Sequence, residues 1–71
     1  MRTFGETMRL VMDEKGLKPV DIWRDSDVLT QPYISKLLTN RVSDPTFAKA
    51  CAIIDRLGMT LQEFADLQDG E

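Results

Sequence analysis

Apolar residues recur along this chain at three- and four-residue intervals, the period of a helix with one buried face. Phe4, Met8, Val11 and Met12 form the first such stripe. Thr3 with Glu6 three places on is a capping-box pattern at its start, and Gly16 offers a left-handed stop before Leu17, which can fold back on the helix end. These signals predict a first helix from Thr3 to Lys15. Pro19 suits the first turn of a second helix, predicted over about residues 19–26 through Ile22 and Trp23. A polar break, Asp25-Ser26-Asp27, follows. Thr30 is an N-cap for a third helix of about residues 30–39, with Pro32 tolerated in its first turn, Ile34 and Leu37 inward and Asn40 as terminator. Asp44-Pro45 reads as N-cap and first helical residue of a fourth helix, whose stripe is Phe47, Ala50, Cys51, Ile54 and Leu57 and whose stop is Gly58. A second capping box, Thr60 with Glu63, opens a fifth helix carrying Leu61, Phe64, Ala65 and Leu67. No segment alternates as a strand does, so the expected fold class is all-α, a compact five-helix domain over residues 1–67 with a frayed tail at 68–71.

Seventy-one residues bury little more than about 60% of the unfolded surface, so such a chain needs an economical helical core or a covalent or metal staple. One cysteine and no histidine give neither a disulfide nor a zinc set, and Cys51 reads as a small core residue. No cofactor is expected. The longest apolar run, Ala50 to Ile54, falls far short of the roughly 20 residues of a membrane span. The expected location is the cytoplasm, where a lone reduced cysteine is at home. Catalysis is not expected either: there is no histidine base and no glycine-rich phosphate loop, and neighbouring acids such as Asp13 and Glu14 point about 100° apart on a helix.

Charge runs against the most obvious use of such a domain. Nine Lys and Arg face twelve Asp and Glu, a net charge of −3, whereas affinity for nucleic acid rests on neutralising phosphates. Any nucleic-acid surface must therefore come from where the charges lie. Lys18, Arg24, Lys36 and Arg41 flank the second and third helices, while Asp13, Glu14, Asp55, Asp66, Asp69 and Glu71 lie partly elsewhere. That distribution allows a dipolar molecule with local positive potential.

Two short helices with a tight connection between Lys18 and Asn40 are the local pattern of a helix-turn-helix. Beyond that pattern, the span Phe4 to Phe64 resembles the lambda-repressor-like family of phage repressors and Cro proteins. The likeness rests on Glu14-Lys15-Gly16-Leu17, on Thr30 through Arg41, on Asp44-Pro45 and on Leu57 through Phe64, in that order and spacing. The resemblance implies a sequence-specific transcriptional regulator of phage or mobile-element origin that inserts its third helix in the major groove of double-stranded DNA. It implies base reading by Gln31, Lys36, Ser35 and Pro32, with Gln31 suited to adenine and Lys36 to guanine or a phosphate. Backbone contacts would come from Lys18, Thr30, Tyr33, Asn40 and Arg41. One recognition helix covers few base pairs, so a homodimer is expected, with Leu61, Phe64 and Leu67 as its surface.

Several positions depart from the family pattern. Pro19 removes a backbone N–H that members commonly offer to a phosphate, Pro32 stands where another residue could read a base, and Asp25 and Asp27 bring negative charge near the turn. Trp23 is large where members carry a small residue, so it either turns outward over the core or relies on a connection one residue longer than usual. Met12 and Leu38 replace a family ion pair and are expected to meet as an apolar pair. These departures keep a second reading open, a protein-interaction module (an anti-repressor or modulator) that uses the same fold to bind another repressor.

Overall fold

The computed structural model describes residues 1–70, and Glu71, the end of the expected tail, lies outside the described residues. Five helices follow in order: α1 (Phe4–Lys15), α2 (Pro19–Trp23), α3 (Gln31–Leu38), α4 (Phe47–Leu57) and α5 (Leu61–Gln68). The sequence signals for their ends operate as chemistry. Thr3 and Glu6, and Thr60 and Glu63, each exchange both capping-box hydrogen bonds, which satisfies amides that the helix itself leaves unpaired. Gly16 and Gly58 take φ of 68° and 73°, and Leu17 N–H returns to the Met12 carbonyl at 2.8 Å. Asn40 does the same work after α3 without being glycine: at φ 60° it lets Arg41 N–H donate to the Lys36 carbonyl at 2.8 Å.

Phe4, Met8, Val11 and Met12 of α1 meet Ile22, Leu29, Ile34, Leu37, Ile53, Ile54, Leu57 and Phe64 in one buried cluster, with Leu17, Trp23, Tyr33, Leu38 and Leu67 packed around it. Met12 and Leu38, the expected apolar pair, thus belong to the same core, one inside it and one at its edge. α1 is the hub, packed against α3, α4 and α5, while α2 packs on α3 and α4. The radius of gyration is 10.9 Å, close to the roughly 11 Å of a folded chain of this length. Thr7 is the buried polar residue, and its hydroxyl donates to the Thr3 carbonyl at 2.9 Å, so its burial leaves no group unpaired. No helix among the described residues is long and apolar enough to cross a membrane.

Three tethers fix the helices to one another. Arg2 holds both ends of the chain together: its N–H donates to the Gln68 carbonyl at 2.7 Å and its guanidinium to the Leu67 carbonyl. Lys15 reaches across to the end of α4, donating to the Leu57 carbonyl at 2.6 Å, where a cation also complements the helix dipole. Thr3 donates its hydroxyl to the Asn40 side-chain oxygen at 2.8 Å, joining the start of α1 to the end of α3.

Four sequence expectations need correction. The fourth helix starts later than Asp44-Pro45: its N-cap is Thr46, whose hydroxyl accepts from Lys49 N–H. Phe47 is 76% exposed, because the inward stripe is Ile53, Ile54 and Leu57 and a first-turn residue on its shoulder projects past the core. Cys51 is only half-buried for the same reason, while Ile53, absent from the expected stripe, is fully enclosed. The second helix ends at Trp23, because Arg24 at ψ 130° leaves the helical region and Asp25 at φ 58° continues the turn. Gln68 and Asp69 belong to the last turn and cap of α5, so the expected tail begins later than residue 68.

Candidate nucleic-acid interface

The chain between α2 and α3 is short and internally bonded. Arg24 N–H closes α2 on the Val20 carbonyl at 2.9 Å, Ser26 N–H donates to the Trp23 carbonyl at 3.2 Å, and the Ser26 hydroxyl accepts from Val28 and Leu29 N–H at 3.2 and 3.0 Å. Leu29 then plugs into the core and Thr30 caps α3, its hydroxyl accepting from Tyr33 N–H. These bonds, two of them to the Ser26 hydroxyl, hold the connection between α2 and α3.

Ile34 and Leu37 anchor α3 inward, which leaves Gln31, Pro32, Ser35, Lys36 and Thr39 exposed. At about 100° per residue, Gln31 and Lys36 bound this exposed arc, with Ser35, Thr39 and Pro32 between them. Beside the Gln31 edge runs an open groove of about 490 Å³, lined by Arg9, Lys18, Pro19, Val20, Trp23, Gln31, Ser35, Leu38 and Thr39. No carboxylate lines it. A second groove, between α1 and α5, has the opposite character, with Glu14, Glu63 and Asp66 against Lys15 alone. The two grooves thus differ in charge, although Asp25 and Asp27 stay exposed in the connection before α3.

The fold gathers Lys18, Gln31 and Ser35 around the first groove, and it leaves Pro32, Lys36 and Arg41 exposed but away from its lining. Tyr33 turns toward α4: its ring lies 4.2 Å from the Lys49 ammonium, a cation–π contact, and partial burial raises its hydroxyl pKa. Asn40 is exposed, yet its side-chain oxygen is engaged by Thr3, so its NH₂ is what remains for a partner. Lys18 likewise has its backbone N–H bound to the Asp21 carboxylate at 2.8 Å, and only its side chain is available.

Of the expected dimer residues, Leu61 is 49% exposed and Leu67 half-buried. Phe64 is removed from that surface. It is 2% exposed, its ring centroid 4.7 Å from that of Phe4, because the inward face of α5 centres on it.

Arg9, Thr39 and Trp23 line the groove without having been singled out as contact residues by the sequence pattern. Arg9 lies one turn after Gly5, where α1 passes against the backbone of α3, and no local signal in the sequence marks that crossing. Trp23 follows the outward alternative: it is half-buried, covering the core edge with one side and the groove with the other. Comparison with protein-family models, characterised proteins and solved structures gives no match to this chain.

Proposed function

We propose that this chain is a helix-turn-helix protein of the lambda-repressor-like kind, a sequence-specific DNA-binding transcriptional regulator that lays α3 in the major groove. The observation that carries this reading is the carboxylate-free groove beside α3, with Arg9 and Lys18 on its wall and Gln31, Ser35 and Thr39 on its α3 side. Gln31 has the donor and acceptor needed for adenine N7 and N6, and Lys36 on the other flank suits guanine O6 and N7 or a phosphate. Lys49, over the Tyr33 ring, adds a cation on that second flank, so both sides of the exposed arc offer positive charge where phosphates of a duplex would pass. A homodimer joined through α5 around Leu61 would present two such helices to a two-fold site. Polarisation binding to random duplex DNA across about 50–200 mM salt tests the reading: affinity should fall steeply as salt rises, the mark of counterion release.

A second reading, an interaction module that binds another repressor, is favoured by one set of observations. Pro32 and Phe47 are exposed apolar residues, on α3 and at the start of α4, and Pro19 offers no N–H at the start of α2. Absence of DNA binding at the low-salt end, together with recovery of a repressor partner, would favour it.

A further inference from the structure

Two of the amides that a helix start offers to a phosphate are missing at α2: Lys18 N–H is taken by the Asp21 carboxylate at 2.8 Å, and Pro19 has no N–H. The groove immediately outside that helix start nevertheless holds two exposed cationic side chains from different helices, Arg9 of α1 and Lys18. Its floor is apolar, formed by Val20, Trp23 and Leu38. We propose that this groove is a phosphodiester cleft in which the Arg9 guanidinium and the Lys18 ammonium together hold the backbone of one DNA strand. The inference rests on the DNA-binding reading and goes further, assigning a strand, a side of α3 and a residue of α1 to the contact. The guanidinium fork can take two oxyanions of one phosphate, the ammonium adds a point charge beside it, and the Trp23 face is left for the deoxyribose. A strand held there passes on the Gln31 and Ser35 edge of α3, which makes those two residues, rather than Lys36, the first to meet the bases.

The test uses the full chain and its single tryptophan, which lies in the cleft. Arg9→Gln, Lys18→Gln and, as an equal charge loss on an exposed residue near the far end of α4, Arg56→Gln are titrated with the same random duplex across about 50–200 mM salt. Arg9→Gln and Lys18→Gln should each lower the log–log salt slope by about 0.9, the value for one lost phosphate contact, and weaken binding several-fold; Arg56→Gln should leave the slope unchanged. Trp23 emission should shift when DNA binds the wild-type chain. Steeply salt-dependent binding that Arg9→Gln and Lys18→Gln leave intact, with Trp23 silent, would overturn the cleft and spare the DNA reading. No binding by the wild-type chain would overturn both, and the wild-type titration alone tells these two failures apart.

Discussion

Gly5 of α1 lies directly against the Leu37 carbonyl of α3. A Cβ built at Gly5 would stand 3.0 Å from the Leu37 carbonyl carbon, nearer still to its oxygen, and 3.3 Å from the Asn40 side-chain oxygen. The neighbour is backbone at the last turn of α3 and cannot rotate away. Gly5 is therefore what lets α1 and α3 cross closely, and it sits one turn before Arg9 of the groove.

A mid-helix Gly→Ala change ordinarily adds about 1 kcal/mol of helix stability. Here the sign reverses. Gly5→Ala should destabilise the domain by about 1–3 kcal/mol, since the added methyl must push α3 outward. Urea denaturation measures this, and an unchanged or raised midpoint would show that α1 and α3 do not cross as described.

Removing the Lys15 tether should loosen the end of α4. Lys15→Met keeps most of the aliphatic stem and loses the hydrogen bonds to the Leu57 and Gly58 carbonyls, at 2.6 and 3.4 Å. The expected cost is about 0.5–1.5 kcal/mol. Amide exchange should quicken most at the α4–α5 junction.

Acid should weaken the two capping boxes. Hydrogen bonds from the Thr3 backbone and side chain hold the Glu6 carboxyl below its ordinary value of 4.5, and the Thr60 groups do the same for Glu63. A carboxylate whose folded pKa is depressed stabilises the fold above its unfolded pKa and loses that contribution as pH falls through the folded value. Thermal midpoints should therefore drop between about pH 5 and 3 in the wild-type chain. The Glu6→Gln/Glu63→Gln double variant should show a smaller drop over the same range, and equal drops would count against the boxes.

Two residues of α5 should behave oppositely. Phe64→Ala empties the site packed on Phe4 and should cost about 3–5 kcal/mol, a large share of the total stability of so small a domain. Leu61→Asp, at an exposed position, should change stability by no more than about 0.5 kcal/mol. If α5 joins two copies, sedimentation of Leu61→Asp should show the monomer where the wild-type chain shows the dimer.

Local signals told most about this fold because they act locally. Thr3 with Glu6, Thr60 with Glu63, Gly16, Gly58 and Asn40 each close a helix end through bonds within six residues, and the α1 stripe needed only its period. The start of the fourth helix escaped because Asp44 and Thr46 both qualify as caps, and the bond that decides, Lys49 N–H to the Thr46 hydroxyl, is not marked by residue type. Phe47 and Phe64 were misassigned by the same cause: periodicity marks an apolar face without saying where along it the core stops. At the candidate interface, α3 itself was legible. Arg9 was not, since only the Gly5–Leu37 crossing brings that edge of α1 beside α3.

The central claim, that α3 and the groove beside it form a DNA-binding face, is tested most directly by mapping amide chemical-shift changes in a ¹⁵N-labelled chain as duplex DNA is added at low salt. The account predicts that the largest changes fall on Lys18 to Trp23, Gln31 to Arg41 and Arg9, and that they fade as salt is raised. Changes centred on the acidic groove of Glu14, Glu63 and Asp66, or none at all, would contradict it.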